Sequence, residues 1–319
     1  MRKNYTVLLM FFVLLGIGCT KSNNTTIETE QVETKTRTQN ETIVFNGVDY
    51  QISNGMLHFL TFDHYEQLFT MKDLNKLYEF ANQVNNAEAM ISYVETITDV
   101  QKKHELGFVG NIINEQGFIK IDVYTLLLDF TSRKVFATRY GNTNDLLSAK
   151  NGTQVTNVHE FSMDENDVIE ELRDMKTRGI FCKDRWAESK NLWTDPELIT
   201  KYAVLGIPRT LQANVRYSKG GIYFELQTES YCPQWAMLGG SENIKRNLNW
   251  NYSWIRRCGK SESGSGSSSN TQSIPAITQR FFKVVYGNPR ALKHYYLSAT
   301  ITSPNSAIPG DSRTVTITD

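Results

Sequence analysis

The last third of this chain alternates apolar and polar residues with a period of two, and that period commits it to strands. Six such runs, at 211–218, 221–229, 249–258, 280–286, 295–302 and 313–318, are bounded by Gly, Pro, Asn and Ser. Successive side chains on a strand point to opposite faces, so every second residue can be buried while its neighbours stay in water. The pattern predicts an antiparallel β-sandwich over residues 206–319. Between two of the runs, residues 261–273 are rich in Ser and Gly, which make up nine of the thirteen. On composition this segment is expected to be a flexible loop.

Residues 43–205 carry mixed signals. Asn46-Gly47 between apolar runs predicts a hairpin over 44–52. Asp63 followed by Glu66 reads as a capped helix start. Leu74, Leu77, Tyr78, Ala81 and Val84, then Met90, Tyr93, Val94, Ile97 and Val100, recur at helical spacing, predicting two or three helices between 63 and 103. Residues 117–130 and 134–139 alternate as strands across a Thr131-Ser132-Arg133 turn. Ser162 with Glu165 predicts a second capped helix through Met175, and Thr194-Asp195-Pro196-Glu197 a short third one. The fold class is therefore α+β, a helix- and strand-containing N-terminal region followed by a C-terminal antiparallel β-sandwich.

The first residues carry an address. Arg2 and Lys3 precede an uninterrupted apolar stretch of eleven residues, 7–17, followed by Gly18 and Cys19. Spanning a bilayer takes about 20 residues, so residues 1–18 read as a cleaved signal peptide. Leu15-Gly16-Ile17-Gly18-Cys19 resembles the lipobox of bacterial lipoproteins, with Leu15 one position earlier than the family's usual leucine. The resemblance implies cleavage before Cys19, lipid on Cys19 and membrane attachment. Residues 20–42 are Thr, Glu, Asn, Lys and Gln with almost nothing apolar to bury, and are expected to form a disordered tether.

A second resemblance covers most of the remainder. Asn54-Gly55-Met56-Leu57-His58-Phe59, Asn114-Glu115-Gln116-Gly117-Phe118 and Lys134-Val135-Phe136, with Tyr217-Ser218-Lys219-Gly220 and Trp235 downstream, are similar to stretches of uncharacterised lipoproteins of Bacteroides and its relatives. That group implies a helical segment, an N-x-x-G turn between strands and a β-rich C-terminal half, and brings no catalytic residue with it. Its surface-export signal is an acidic run after the lipidated cysteine. Thr20-Lys21-Ser22-Asn23-Asn24 is not acidic, so the expected location is the outer membrane, facing the periplasm.

Charge excludes one partner class. The chain has 34 basic and 34 acidic residues, and removing Arg2 and Lys3 leaves it slightly acidic, with no basic stripe for nucleic acid. Cys182, Cys232 and Cys258 remain after Cys19. Cys232 with Cys258 is the preferred disulfide, both lying in the strand-rich region, although three pairings are formally open.

Chemistry is sparse. His58, Asp63, His64 and Glu66 gather four potential metal ligands, but without two histidines at i and i+4 on one helix face; no metal site and no cofactor are expected. No family signature of a Ser or Cys nucleophile is present. Trp250, Tyr252 and Trp254 share one face of a strand with Arg256, either as core or as a platform for a sugar ring. Trp235, Trp186 and Trp193 fall in connecting segments, where binding residues concentrate. The candidate ligand-binding residues are Trp235, Trp250, Tyr252 and Trp254. The expected function is a non-catalytic envelope module recognising a glycan or an envelope protein. The alternative is an envelope glycoside or peptide hydrolase whose groups meet only in the fold.

Overall fold

The structure, a computed structural model, describes residues 41–319 except 71–73, 87–89, 100–101, 104–105, 141, 178–183, 201–209, 233–241 and 275–279. Strands β1 (Ile43–Phe45) and β2 (Val48–Ser53) pair across Asn46 and Gly47, whose φ values of 49° and 84° give the left-handed turn a two-residue hairpin needs. A seven-stranded sheet continues in chain order: β3 (Met56–Phe59), β4 (Phe118–Ile121), β5 (Tyr124–Asp129), β6 (Lys134–Arg139) and β7 (Val158–Ser162). Only β3 and β4 run parallel. The connection between them carries helices α1 (Phe62–Thr70) and α2 (Leu74–Asn86), which bury Tyr65, Leu68, Phe80 and Val84 against one face of the sheet. Helix α3 (Thr143–Lys150) places Leu146 on the opposite face, against Phe118, Leu127 and Phe136.

Local polar chemistry moves several boundaries from their expected places. Helix α1 is opened by Thr61, whose hydroxyl accepts from the His64 amide at 3.1 Å, while Asp63 and Glu66 both accept from Arg173 at 3.0 Å. The 117–130 run is two strands, broken at Asp122 (φ 56°), whose carboxylate takes Lys176 at 2.6 Å. Residues 158–162 are consumed by the ladder to β6, so helix α4 (Val168–Thr177) begins later than Ser162, capped by Asp167. Thr194–Glu197 does not start a helix. Thr194 exchanges hydrogen bonds with the backbone of Ala213, tying the segment to a sheet, and Asp195–Pro196 is cis.

The C-terminal half is an antiparallel β-sandwich. One sheet has the order β14-β11-β10-β8, with β9 paired to the start of β10. Its strands are β8 (Lys190–Trp193), β9 (Leu198–Ile199), β10 (Thr210–Lys219), β11 (Phe224–Tyr231) and β14 (Arg280–Asn288). The facing sheet runs β13-β12-β15-β16, from β12 (Glu242–Arg256), β13 (Ser261–Ile274), β15 (Leu292–Thr302) and β16 (Ser312–Thr318). Residues 261–273, expected as a loop, are thus an ordered edge strand paired with β12 over its whole length. Val215, Tyr217 and Leu226 of one sheet and Leu248, Trp254, Leu297 and Ile301 of the other form the core.

The expected boundary at 205/206 is not where the packing divides. Strands β8 and β9 already belong to the sandwich, and the β10–β11 turn reaches back into the first core through Ile222 and Tyr223. The Tyr65 hydroxyl donates to the Ile222 carbonyl at 2.8 Å, and Val168 N–H donates to Gly221 at 3.0 Å. Among the described residues, no helix is long and apolar enough to cross a membrane.

Two buried acids sit where the halves meet. Asp167 accepts from the amides of Ala291 (3.0 Å) and Glu170 (3.2 Å). Glu225 accepts from Gln227 at 2.6 Å and lies against Gly107, where an added Cβ would fall 1.9 Å from its Oε2. Burial pushes both carboxyls up to about 7, from 3.8 and 4.5, outweighing Arg290 near Asp167 and Arg216 near Glu225. Between those values the folded chain holds more protons than the unfolded one, so this stabilisation is complete at acid pH and is lost as pH rises through about 7. Asp164, held low by hydrogen bonds from Arg133, gives the opposite slope only at lower pH. Thermal melts are expected to show Tm falling by about 5 °C between pH 5 and pH 8. A profile that rises over that interval contradicts the assignment.

Candidate functional site

Which face of β12 is buried decides what the molecule can present. Ile244, Arg246, Leu248 and Trp254 are buried, with Trp250 and Tyr252 half-buried against the same core, so this row points inward. Trp254 is only 6 % exposed and cannot be a platform. The Trp250 and Tyr252 rings lie sideways over the neighbouring edge strand, where Gly266 and Gly264 are their register partners. A Cβ on Gly266 would come within 2.6 Å of the Trp250 ring, and one on Gly264 within 2.7 Å of the Tyr252 hydroxyl. The glycines are there because the rings occupy the space a side chain would need. Trp250 and Tyr252 are thus core aromatics that cover the backbone of a Ser/Gly strand.

Trp235 lies outside the described residues. Trp186 is half-buried, with the Arg257 guanidinium 3.8 Å above its ring, and Trp193 packs edge-on against Tyr231 at 5.9 Å. Neither stands open in a loop.

The opposite face of the four-stranded sheet faces solvent, and its composition is unusual. Reading across the strands from β13 to β16, the register places Ser269, Asn247, Thr302 and Ser312 in one row, Ser267, Asn249, Thr300 and Thr314 in the next, and Ser265, Asn251, Ser298 and Thr316 in a third. All twelve side chains are hydroxyls or primary amides, Ser298 buried and the others exposed or half-buried. The Thr300 and Thr314 hydroxyls are 2.8 Å apart, and Thr316 donates to Ser298 at 2.9 Å, so neighbouring groups already hold one another in place.

At one end this face opens into a cleft of about 700 Å³. Ser253, Ile255, Ser263, His294 and Tyr296 line it together with two carboxylates, Glu262 and Asp319. Tyr296 and Ile255 are 40 % and 42 % exposed, large for ring and aliphatic side chains on an otherwise polar sheet. Asp319 is fixed by the Arg185 guanidinium at 2.5 Å and the Glu188 amide at 3.1 Å. Arg185 also donates to His294 Nδ1 at 2.7 Å. Arginine has no acceptor, so Nδ1 is the unprotonated nitrogen of the neutral ring and the proton sits on Nε2. Asp319 is 3.7 Å from the same Nδ1. A catalytic triad needs the reverse arrangement, in which Nδ1–H donates to the carboxylate and Nε2 is free to take a proton. The cleft is built to donate from His294 and to stack or pack against Tyr296 and Ile255.

The other sequence candidates are dispersed. His58 Nε2 bonds the Asp122 carbonyl at 3.0 Å, and burial lowers its pKa against the opposing effect of that bond. His64 faces Asp49 at 3.7 Å, and Glu66 takes Arg290 at 2.9 Å as well as Arg173. Among the described residues no group of three or more His, Cys, Asp or Glu side chains is arranged to hold a metal.

The expected Cys232–Cys258 disulfide is not formed. Cys232 is a buried thiol and Cys258 is disulfide-bonded, so the two are not joined to each other. The partner of Cys258 lies outside the described residues, as does Cys182. Cys232 is 1 % exposed in the sandwich core, whereas Cys258 sits in an exposed turn with φ 43°, its amide bonded to Asp184 at 3.1 Å.

Compared with known protein families, with curated proteins and with solved structures, the chain matches none.

If the Trp250 ring is what excludes a side chain at position 266, Gly266→Ala is expected to cost roughly 1–3 kcal/mol in urea unfolding. The same substitution in a Trp250→Ala background is expected to cost far less. Equal costs in the two backgrounds would contradict the packing described.

Proposed function

We propose that this chain is a lipid-anchored cell-envelope protein that works without catalysis, as a binding module displayed on a tether. The observation that carries this reading is the outward face of the four-stranded sheet. It is a rigid, register-locked surface of hydroxyls and amides that ends in a cleft with an exposed aromatic ring. Binding residues held on strands keep their spacing without paying for order at the moment of contact.

The address supports it. Arg2, Lys3 and the apolar run 7–17 before Gly18-Cys19 fit export and lipidation, and residues 20–42 fit a spacer. At ~3.3 Å per residue such a spacer reaches roughly 70 Å when drawn out, clear of lipid headgroups. Two or three acyl chains on Cys19 would make attachment stable, where one would be reversible. The resemblance to Bacteroides-type lipoproteins agrees with an outer-membrane, periplasm-facing location.

Metabolic labelling with a clickable fatty acid tests the anchor. Label on the wild-type chain, lost in Cys19→Ala together with release into the soluble envelope fraction, is the expected result. Absence of label from wild type would remove the anchor and the location with it.

A further inference from the structure

We infer that the outward face of the β13-β12-β15-β16 sheet binds an uncharged polysaccharide, laid across the strands with one end in the Tyr296–His294 cleft. This rests on the reading of the chain as a binding module and names the class of its ligand.

Charge is the first argument. A solvated face of a soluble domain normally intersperses Lys, Arg, Glu and Asp, and this chain is 21 % charged overall. Twelve outward positions would then carry roughly two or three charged side chains, and these three rows carry none. On the outward side of β12 the nearest charge is Lys245, beyond the last row, since Arg246 is buried on the inward side. A surface kept free of charge over that extent disfavours phosphate, carboxylate and polycation alike. What it can satisfy is a neutral polymer rich in hydroxyls.

Edge chemistry is the second. Strand β13 is 14 residues long, contains no Pro and has a single charged residue, Glu262. Exposed edges are usually protected by Lys, Pro or a bulge. This one instead keeps small hydroxyls outward, so the sheet surface stays low and even up to its border. Protruding side chains would obstruct a long ligand lying across it.

Periodicity and the cleft are the third. Donors and acceptors repeat at about 4.8 Å between strands and about 6.7 Å along them, a regular grid that suits a regular polymer better than a peptide of mixed side chains. At the cleft, Tyr296 offers a ring face, Ile255 an apolar contact, and Ser253, Ser263 and the His294 Nε2–H offer hydrogen bonds, while the lining carboxylates Glu262 and Asp319 can accept from sugar hydroxyls. An aromatic ring beside hydroxyl groups matches the two sides of a sugar, its C–H face and its hydroxyl rim.

Affinity electrophoresis of the full chain in detergent tests this, with a soluble β-glucan, a mannan or a xylan cast in the gel and polygalacturonate as the charged comparator. At least one neutral polysaccharide is expected to retard the wild type. Asn251→Glu and, independently, Thr314→Glu and Tyr296→Ala are expected to weaken that retardation at least tenfold, with Thr153→Glu on the distant N-terminal surface unchanged. Retardation by polygalacturonate alone, equal retardation of wild type and the face variants, or no retardation at all overturns the inference. A photocrosslinker at position 251 in living cells separates this failure from that of the broader reading. Capture of an envelope protein there, with no polysaccharide bound, makes the face a protein interface and leaves the binding-module reading standing. No capture and no retardation removes both.

Discussion

The C-terminal half depends on one constraint, the period-two commitment of β12. Burying Ile244, Leu248 and Trp254 turns Asn247, Asn249 and Asn251 to water, because a strand cannot do otherwise. A slip of one residue would put three asparagines in the core and two tryptophans in solvent. The register with β15 then sets Thr300 and Ser298 beside the asparagines, and β16 adds Thr314 and Thr316. The polar face is therefore the other side of the hydrophobic core, specified by the same alternation.

The inward half of that alternation also explains the Ser/Gly strand. Serine and glycine have little tendency to form strands, and glycine weakens a strand by leaving nothing to pack. Here the missing side chains are supplied from across the ladder by Trp250 and Tyr252. The Tyr252 hydroxyl donates to Glu262 at 3.3 Å, fixing the ring over the backbone it covers. Order in β13 is thus a property of β12, and composition taken alone points to a loop.

Much of the architecture was legible where one local cause dominates. Asn46-Gly47 specified its hairpin through positive φ. Asn114 to Gly117 forms a turn, with Gly117 N–H bonded to the Asn114 carbonyl at 2.8 Å and Phe118 N–H to the Asn114 side chain at 2.8 Å, but it leads into β4 from a helical turn at 108–111 and does not join two strands. All six C-terminal runs contain strands, although 221–223 form the β10–β11 turn and 257–258 the turn after β12. Legibility failed where a distant group competed for a side chain. Asp63 and Glu66 looked like a helix cap but are drawn to Arg173, more than a hundred residues away, and Thr61 caps instead. The outward face was half visible, as the polar side of β12, but its other columns come from strands distant in sequence, one of them not recognisable as a strand.

The two halves are joined by groups that are costly to bury. Tyr65, Asp167, Tyr223 and Glu225 lie in or beside the junction, each hydrogen-bonded across it or along its walls. Such contacts specify one geometry, because a shifted docking would leave a buried polar group without its partner.

Hydrogen exchange over residues 261–274 reports whether the Ser/Gly segment is held in the sheet by β12. If β13 is the ordered edge of the sheet, about half of its amides, those donating to β12, exchange much more slowly than in an isolated peptide of the same sequence. Exchange of the whole segment at the free-peptide rate would make it a loop, remove one column of the outward face and uncover Trp250 and Tyr252.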